Sequence, residues 1–440
     1  MESTPTKQTF SHYLFFWGGQ LFSILGSSIV RWVIITWIAI ETLSETFVAF
    51  AFFLGALPMV IIPPILGVYI DRWNRKLTIA ITDSLQAFIT FMMILCFSFG
   101  IANYWLIILL NLLRGVCQSI HFPTVNAIIP LMIPKKHLSR MNAINYLFTG
   151  VIQVIGPIIG GVLYAFVDLN PLLQIEHIFW IDIITFGIAI IPLLLVHIPS
   201  IKTNFHQKEK KSYFKEFKYS INILKTVKSF LILIVFISFI NLLNMPFTTM
   251  MSLFVVSPEH HNGGKLDYAL ISAFLQIGIV IGAIIALLKK HWKHKELIIL
   301  FSVFIGIAGY SITTFAPKGQ FLLMGIGALI HAAMIPLANT MFLTILQTKI
   351  PPETQGRVFS IVASIAAAIT PLGMLISGPL AENLGIPVLF VISLFLQVYS
   401  VLVTWFLTDL RNIIREESKI EKGKEVEEEI KLSPDQIEYS

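Results

Sequence analysis

The sequence predicts an all-α membrane protein with twelve transmembrane helices arranged as two pseudo-symmetric six-helix bundles. Three observations lead there. Of 440 residues, 56% are hydrophobic and only 13% charged, about half the charged share of a soluble domain. The charge is clustered, which leaves twelve apolar runs of roughly 20 residues, each enough to cross a bilayer. The two halves also share a pattern: "IPKKHLSRMNA" (133–143) and "IPPETQGRVFS" (350–360) align at an offset of 217 residues. That offset carries Gly156 onto Gly373 and Gly161 onto Gly378.

The first run, 12–40, follows a polar start with one lysine and is too long for the apolar region of a cleavable signal. The second, 46–70, runs into "GVYIDRWNRK" (67–76), where Gly67 lets helices approach, Asp71 ends the helix and Arg72, Arg75 and Lys76 follow. Runs three and four, 77–99 and 104–129, hold Asp83 and Arg114. The fifth, 141–166, contains "GVIQVIGPIIGG" (150–161). Its small residues at four-residue spacing (Gly150, Gly156, Gly160, Gly161) permit backbone contact between membrane helices. Pro157 removes a backbone donor and bends the segment. Run six, 174–198, holds Asp182.

Residues 199–228 form the longest polar break, rich in lysine with Tyr213, Phe214, Phe217 and Tyr219 interspersed. This reads as a solvated linker with a short interfacial helix, or as a basic aromatic run on an anionic membrane surface. Six further runs follow: 229–256, 267–288, 297–316, 319–347, 358–381 and 386–409. Near an offset of 219, "DRWNRK" (71–76) falls on "KHWKHK" (290–295), superposing Trp73 on Trp292. The expected division is therefore an amino-terminal bundle (1–198), a linker (199–228), a carboxyl-terminal bundle (229–409) and a tail (410–440). The tail alternates charge and reads as a solvated helix or disordered end.

Orientation follows from the 31 lysines and arginines. All but Arg31, Arg114, Lys265 and Lys318 lie in the amino-terminal segment, the even-to-odd loops or the tail. Positive charge is retained in the cytoplasm, so both termini are expected inside a cell membrane. The formal charge of +6 is thus a topology signal and does not point to nucleic acid. The 2 cysteines, Cys96 and Cys117, sit in apolar runs and offer neither a disulfide framework nor a metal site. His260 and His261 in "PEHHNGGKLD" lack further ligands at metal spacing, so no metal and no cofactor is expected. No Gly-x-x-x-x-Gly-Lys-Ser/Thr phosphate loop occurs, which argues against an ATP-driven pump or an enzyme.

Helical phase, at about 100° per residue, shows which faces are polar. Arg114, Gln118 and His121 fall within about 60° of arc, with Asn111 bordering them. In the first helix Gln20, Ser23, Ser27 and Arg31 cluster similarly. The seventh gives Asn241, Asn244 and Thr248 beside Pro246, and the tenth a looser pair, His331 and Asn339. Such stripes line a polar cavity or knit helices together by hydrogen bonds.

A charge at mid-helix costs roughly 2.5–3.5 kcal/mol on insertion scales, so it faces a cavity or a partner. Asp83 lies deeper toward the cytoplasm than Arg114 by about 13 Å of helical rise, a depth that His121 matches better. Asp83 and His121 are therefore expected to form a titratable pair, with Arg114 tuning it. Arginine cannot carry a proton at relevant pH, which leaves Asp83 and Asp182 as the better carriers. Static ion bridges are the alternative. Glu41, Glu45, Glu176, Asp267 and Glu382 lie at the outer helix ends, where solvation suffices to explain them.

Gly-x-x-x-Asp-Arg-x-x-Arg-Lys at 67–76 resembles the loop signature of the major facilitator superfamily. "GPIIGG" in the fifth helix resembles the export motif of its proton-coupled antiporters. The likeness extends through "GSSIVRWVIITWIAIETLSET", "RGVCQSIHFPTVNAIIPLMIP", "RMNAINYLFTGVIQVIGPIIGG" and "PLGMLISGPLAENLG", which are similar to the drug–proton antiporter branch that includes macrolide efflux proteins. The resemblance implies alternating access, with helices one, four, seven and ten around a central cavity. It makes Arg114 the fourth-helix arginine linked to proton coupling. It sets helices one and six side by side, so that Arg31 could pair with Asp182, and it has Asp71 touching the start of helix eleven near Arg357 and Val358. Two departures stand out: helix eleven has Ser-Gly-Pro-Leu in place of the helix-five pattern, and helix one carries Arg31 but no mid-helix acid.

The expected function is export of a bulky amphipathic compound, drug or macrolide-like, in exchange for protons. Export or flipping of an endogenous amphipath such as a siderophore or lysolipid is the alternative. The expected partners are that small molecule, protons and the lipid bilayer, for a chain acting as a monomer without nucleic acid. Proton coupling is assigned to Arg114, Asp83, His121, Asp182 and Arg31. Gln20, Ser27, Asn111, Gln118, Asn241, Asn244, Thr248, His331 and Asn339 are assigned to the substrate cavity.

Overall fold

The structure is a computed structural model that describes residues 7–70, 73–198, 228–288, 292, 294–349 and 352–408. All regular elements among them are α-helices, twelve in number: α1 Lys7–Thr42, α2 Glu45–Ile70, α3 Arg75–Ser98, α4 Tyr104–Met132, α5 Lys135–Leu169, α6 Ile175–Leu195, α7 Lys228–Val256, α8 Lys265–Leu288, α9 Lys295–Thr314, α10 Phe321–Lys349, α11 Pro352–Leu384 and α12 Ile386–Phe406. Among the described residues, eleven helices are long and apolar enough to cross a membrane. The chain is a multi-pass membrane protein. The linker 199–227, Asp71, Arg72 and the tail from 409 lie outside the described residues.

Two helices begin six residues before their apolar runs. α5 starts at Lys135 after Pro134, and α11 starts on Pro352. Proline fits a helix start because the amide it lacks would have no intrahelical partner there. The loops are short and capped. Asn74 accepts the Leu77 amide at 3.2 Å, and Asn103 accepts those of Trp105 and Leu106 at 2.9 and 3.4 Å. Gly385, at φ 82°, alone separates α11 from α12, a conformation that costs glycine little.

Packing repeats between the halves. Within the first, α1 packs on α5 and α6, α2 on α4, and α3 on α4 and α6. Within the second, α7 packs on α11 and α12, α8 on α10, and α9 on α10 and α12. The halves meet mainly along α2–α11 and α5–α8, a symmetric exchange. The repeated glycines act in matching places. A Cβ on Gly156 would run into Ser28 of α1, and one on Gly373 into Met245 of α7. A Cβ on Gly161 would collide with Ala269 of α8, and one on Gly378 would lie 2.9 Å from the Glu45 carbonyl of α2. One pair of glycines closes contacts within a half, the other contacts between halves.

The near end of the molecule carries residues 7 and 408. The far end carries the odd-to-even loops. One hydrophobic core at the far end draws on both halves, joining Ile29, Val33 and Val48 to Phe247, Phe254 and Phe390. Toward the near end the cores are separate: Tyr13, Phe16 and Met132 in the first half, Leu233, Ile299 and Met341 in the second. Polar contacts between halves also gather at the far end. Lys265 Nζ reaches both Asp168 oxygens at 2.7 and 2.8 Å and sits 3.6 Å above the Tyr164 ring. Trp32 donates to Ser272 at 3.2 Å and stacks on Tyr268, and Thr46 donates to Glu382. Glu382 is therefore engaged across the halves rather than only solvated.

Gly161→Leu forces a side chain into the α5–α8 seam. Overpacking of this kind costs about 1–3 kcal/mol and loosens the seam. Cysteines placed at the far-end seam should then label faster in the Gly161→Leu protein. Unchanged labelling would show that the seam tolerates the side chain.

Candidate functional site

The first half contains a buried polar network where α1, α3, α4 and α6 converge. Arg114 of α4 reaches past α3 to Asp182 of α6, with Nη1 2.6 Å from Oδ2. Thr90 of α3 stands between them, donating to the same carboxylate oxygen at 2.7 Å and contacting Arg114 Nη1. Ser27 of α1 donates to Asp182 Oδ1 at 2.9 Å. Both carboxylate oxygens are thus occupied, and side-chain exposure is 7% for Arg114 and 5% for Asp182. Burying two charges is expensive, and only a close pair with its remaining lone pairs satisfied offsets it.

Deeper toward the near end, His121 Nε2 lies 3.0 Å from Asp83 Oδ1 and 3.1 Å from Gln20 Oε1. The Gln20 amide nitrogen reaches Asp83 Oδ2 at 3.4 Å. The Gln20 oxygen can only accept, so a proton on Nε2 serves both acceptors. The expected Asp83–His121 pair is therefore present, closed by a third residue.

The pairing expected for Arg31 is not. Arg114 takes Asp182 instead, because α3 lies between α4 and α6 and carries Thr90 as a bridge. Ser27, one turn before Arg31, is the α1 residue that meets Asp182. Gly26 allows this: a Cβ there would lie 3.0 Å from the Asp182 Cα. Arg31 is exposed and lines the cavity, and it forms no ion pair among the described residues.

That cavity measures about 100 Å³, and Ser27, Asn111, Gln118, Arg31, Arg114, Asp83 and His121 are among its walls. Asn111 also donates to the Ala51 carbonyl of α2 at 3.2 Å. Gln20, assigned to the cavity, is instead buried within the Asp83–His121 group, since both ends of its amide are engaged. Asn241, Asn244, His331 and Asn339 line a separate pocket of about 50 Å³ in the second half. Thr248 is exposed outside that lining, its hydroxyl donating to the Asn244 carbonyl at 3.3 Å.

Asp71 and Arg72 lie outside the described residues, as does the side chain of Arg357, so their expected latch is not seen. Gly67 is in the last turn of α2 and Arg75 in the first turn of α3. Lys76, grouped with the gating loop, donates to the Leu194 and Val196 carbonyls at 2.6 and 2.9 Å. It caps the carboxyl end of α6, where a cation is favoured. In α5, Gly150 faces Val280 of α8, Gly156 and Gly160 face α1, and Gly161 faces α8, with Pro157 between them. The helix-five motif is therefore a two-sided packing surface.

His260 and His261 lie in the α7–α8 loop. Burial holds both imidazoles below their ordinary range, and Lys318 adds to this. His261 packs against the rings of Phe254 and Phe321. No group of three potential metal ligands occurs among the described residues.

Sequence reasoning missed Thr90, although Asp83, Gln86 and Thr90 fall at one helical face by the i, i+3, i+7 rule. It also missed Gln397 and Ser302 in the second pocket. Gln397 belongs to a buried stripe, Ser393–Gln397–Ser400–Thr404, on α12.

Comparison with known proteins agrees with this architecture. The family pattern described as Major Facilitator Superfamily matches residues 16–371. Macrolide efflux protein A of Streptococcus pyogenes is 24% identical over 404 residues, covering 90% of this chain and 96% of that protein. The protein of the same name from Enterococcus faecalis is 24% identical over 328 residues, covering 73% and 97%. The crystal structure of a bacterial homologue of the iron transporter ferroportin, in its inward-facing state, superposes with a TM-score of 0.66 at 14% identity, covering 90% of this chain and 98% of that one. With its internal repeat, symmetric helix packing and polar core inside an apolar bundle, the chain belongs to the Major Facilitator Superfamily and is a membrane transporter, not an enzyme.

Proposed function

We propose that this transporter exports a bulky amphipathic compound across the cell membrane in exchange for protons, by alternating access. The observation that carries the proposal is two buried acids at one cavity: Asp83 lines it beside a histidine, and Asp182 lies behind the lining against Arg114. Asp182 is held by an arginine and two hydroxyls. Asp83 is held by His121, the one cavity-wall partner that can gain or lose a proton near neutral pH. The likeness to macrolide efflux proteins supports a drug-like substrate.

The distribution of positive charge supports a cytoplasmic near end. Separate near-end cores and a shared far-end core then correspond to a form open to the cytoplasm. Residues 1–198 and 229–409 act as the two moving units, the linker 199–228 joins them, and 410–440 is a cytoplasmic tail. In formal charge, Arg31 and Arg114 balance Asp83 and Asp182 when His121 is neutral. A proton on His121 makes the wall positive by one unit, which disfavours a cationic amphipath. Proton and substrate then exclude each other, and exchange follows.

A panel of amphipathic drugs in everted vesicles tests this. Accumulation should occur with a proton gradient and collapse when the gradient is dissipated. Accumulation that survives dissipation would contradict proton exchange. Gradient-driven uptake of a lysolipid, with indifference to every drug, would favour the endogenous substrate.

A further inference from the structure

The second half carries no counterpart of the charged network in its pocket. The walls there come from α7, α9, α10 and α12, and none of them presents an acid or a permanent cation. Two polar atoms facing this pocket are buried and make no hydrogen bond: the Asn244 side-chain oxygen and the Gln397 side-chain nitrogen. Gln397 is only 1% exposed. A buried donor and a buried acceptor left unsatisfied are each costly, and here they converge on one small space. His331 completes the set. Its Nδ1 lies 3.0 Å from the Gly306 carbonyl, so that nitrogen carries a hydrogen and a neutral ring keeps its acceptor on Nε2.

We infer that this recess is a specificity subsite for an uncharged hydroxyl-bearing group of the substrate, a deepening that rests on the proposed export of an amphipath. A hydroxyl donates one hydrogen bond and accepts others. It can donate to the Asn244 oxygen and accept from the Gln397 nitrogen at once. An ammonium would leave Gln397 unmet, and a carboxylate would leave Asn244 unmet. The volume, about 50 Å³, admits a hydroxymethyl-sized group. The position of Gln397 fits this use. Its helix packs on α7 and α9, and Gln397 lines the same pocket as Asn241 and Asn339. The halves thereby divide the work: charge in the first, neutral polar recognition in the second.

The test uses the full chain in lipid nanodiscs with two dansyl-labelled probes, an eleven-carbon alcohol and its methyl ether. The ether keeps the apolar tail and an acceptor but loses the donated hydrogen. The alcohol should bind about tenfold more tightly than the ether, the size of one satisfied buried partner. Asn244→Leu should erase that preference, whereas Gln397→Leu, which removes a donor that both probe oxygens accept from, should weaken alcohol and ether alike and leave the preference in place. Equal affinity of the two probes for the unaltered protein would overturn the inference, as would a preference that survives Asn244→Leu or probe affinities that Gln397→Leu leaves unchanged. Such results would mean that water alone fills the recess. Binding is read at equilibrium with no proton gradient, so failure here is distinct from failure of proton exchange.

Discussion

Arg114→Ala should reduce proton-driven export by about 100-fold or more while the protein still inserts in the membrane. The reason is the surroundings of Asp182. Its carboxylate is buried and receives Arg114, Thr90 and Ser27. Removing the cation leaves a buried charge with two hydroxyls for company, a change worth about 3–5 kcal/mol. The site then also loses one of the two arginines that balance Asp83 and Asp182 in formal charge, so the electrostatic setting of the Asp83–His121 pair is changed as well. Arg114→Lys should recover only part of the activity, because a point charge replaces a planar fork. The measurement is uptake into everted vesicles at matched membrane protein levels. Full activity in Arg114→Ala would reduce the ion pair to architecture.

Asp83→Asn should separate transport from proton movement. Asparagine keeps the shape and still offers an acceptor oxygen to His121 Nε2. It removes the carboxylate charge that lies 3.0 Å from His121 Nε2. The protein should still carry substrate down its own gradient, with net proton exchange falling by about tenfold or more. The two acids are therefore expected to differ: Asp182→Asn harms folding yield and activity together, because it strands Arg114, whereas Asp83→Asn spares folding. A substrate flux whose gradient dependence matches the unaltered protein would remove Asp83 as the carrier site.

Much of this site was legible in the sequence. Depth along a helix paired Asp83 with His121, because rise per residue is fixed and both charges sit inside apolar runs. The repeat at an offset of 217 marked four glycines, and symmetry of packing then followed. Depth failed for Arg31 and Asp182. Two groups at equal height meet only if the helices turn the right faces toward one another, and Ser27 occupies that face. A long guanidinium reaches across a helix, so Arg114 met an acid that depth and adjacency did not assign to it. The second pocket was half seen. Its α7 and α10 residues stood out as polar stripes, but Gln397 lies on a helix not expected at a cavity, and its stripe reads equally as helix packing.

The separation between the halves is also physical rather than sequential. In the proposed alternating-access cycle, which end is closed would depend on small energy differences between two packings of the same seams. The glycines at 161 and 378 serve whichever form brings α5 to α8 and α11 to α2. The Lys265–Asp168 pair at the far end is partly solvated, with Asp168 63% exposed. Such a pair contributes about 0–1 kcal/mol, a small barrier to the proposed opening.

The most direct test of the central claim is a proton count during export. Everted vesicles holding a pH-sensitive dye are made acidic inside, and an amphipathic substrate is added outside. With the unaltered protein, substrate addition should alkalinise the lumen as protons leave in exchange. With Asp83→Asn, substrate should still enter down its gradient while the lumen stays acidic. Undiminished alkalinisation in Asp83→Asn would contradict the assignment of the proton to the Asp83–His121 pair.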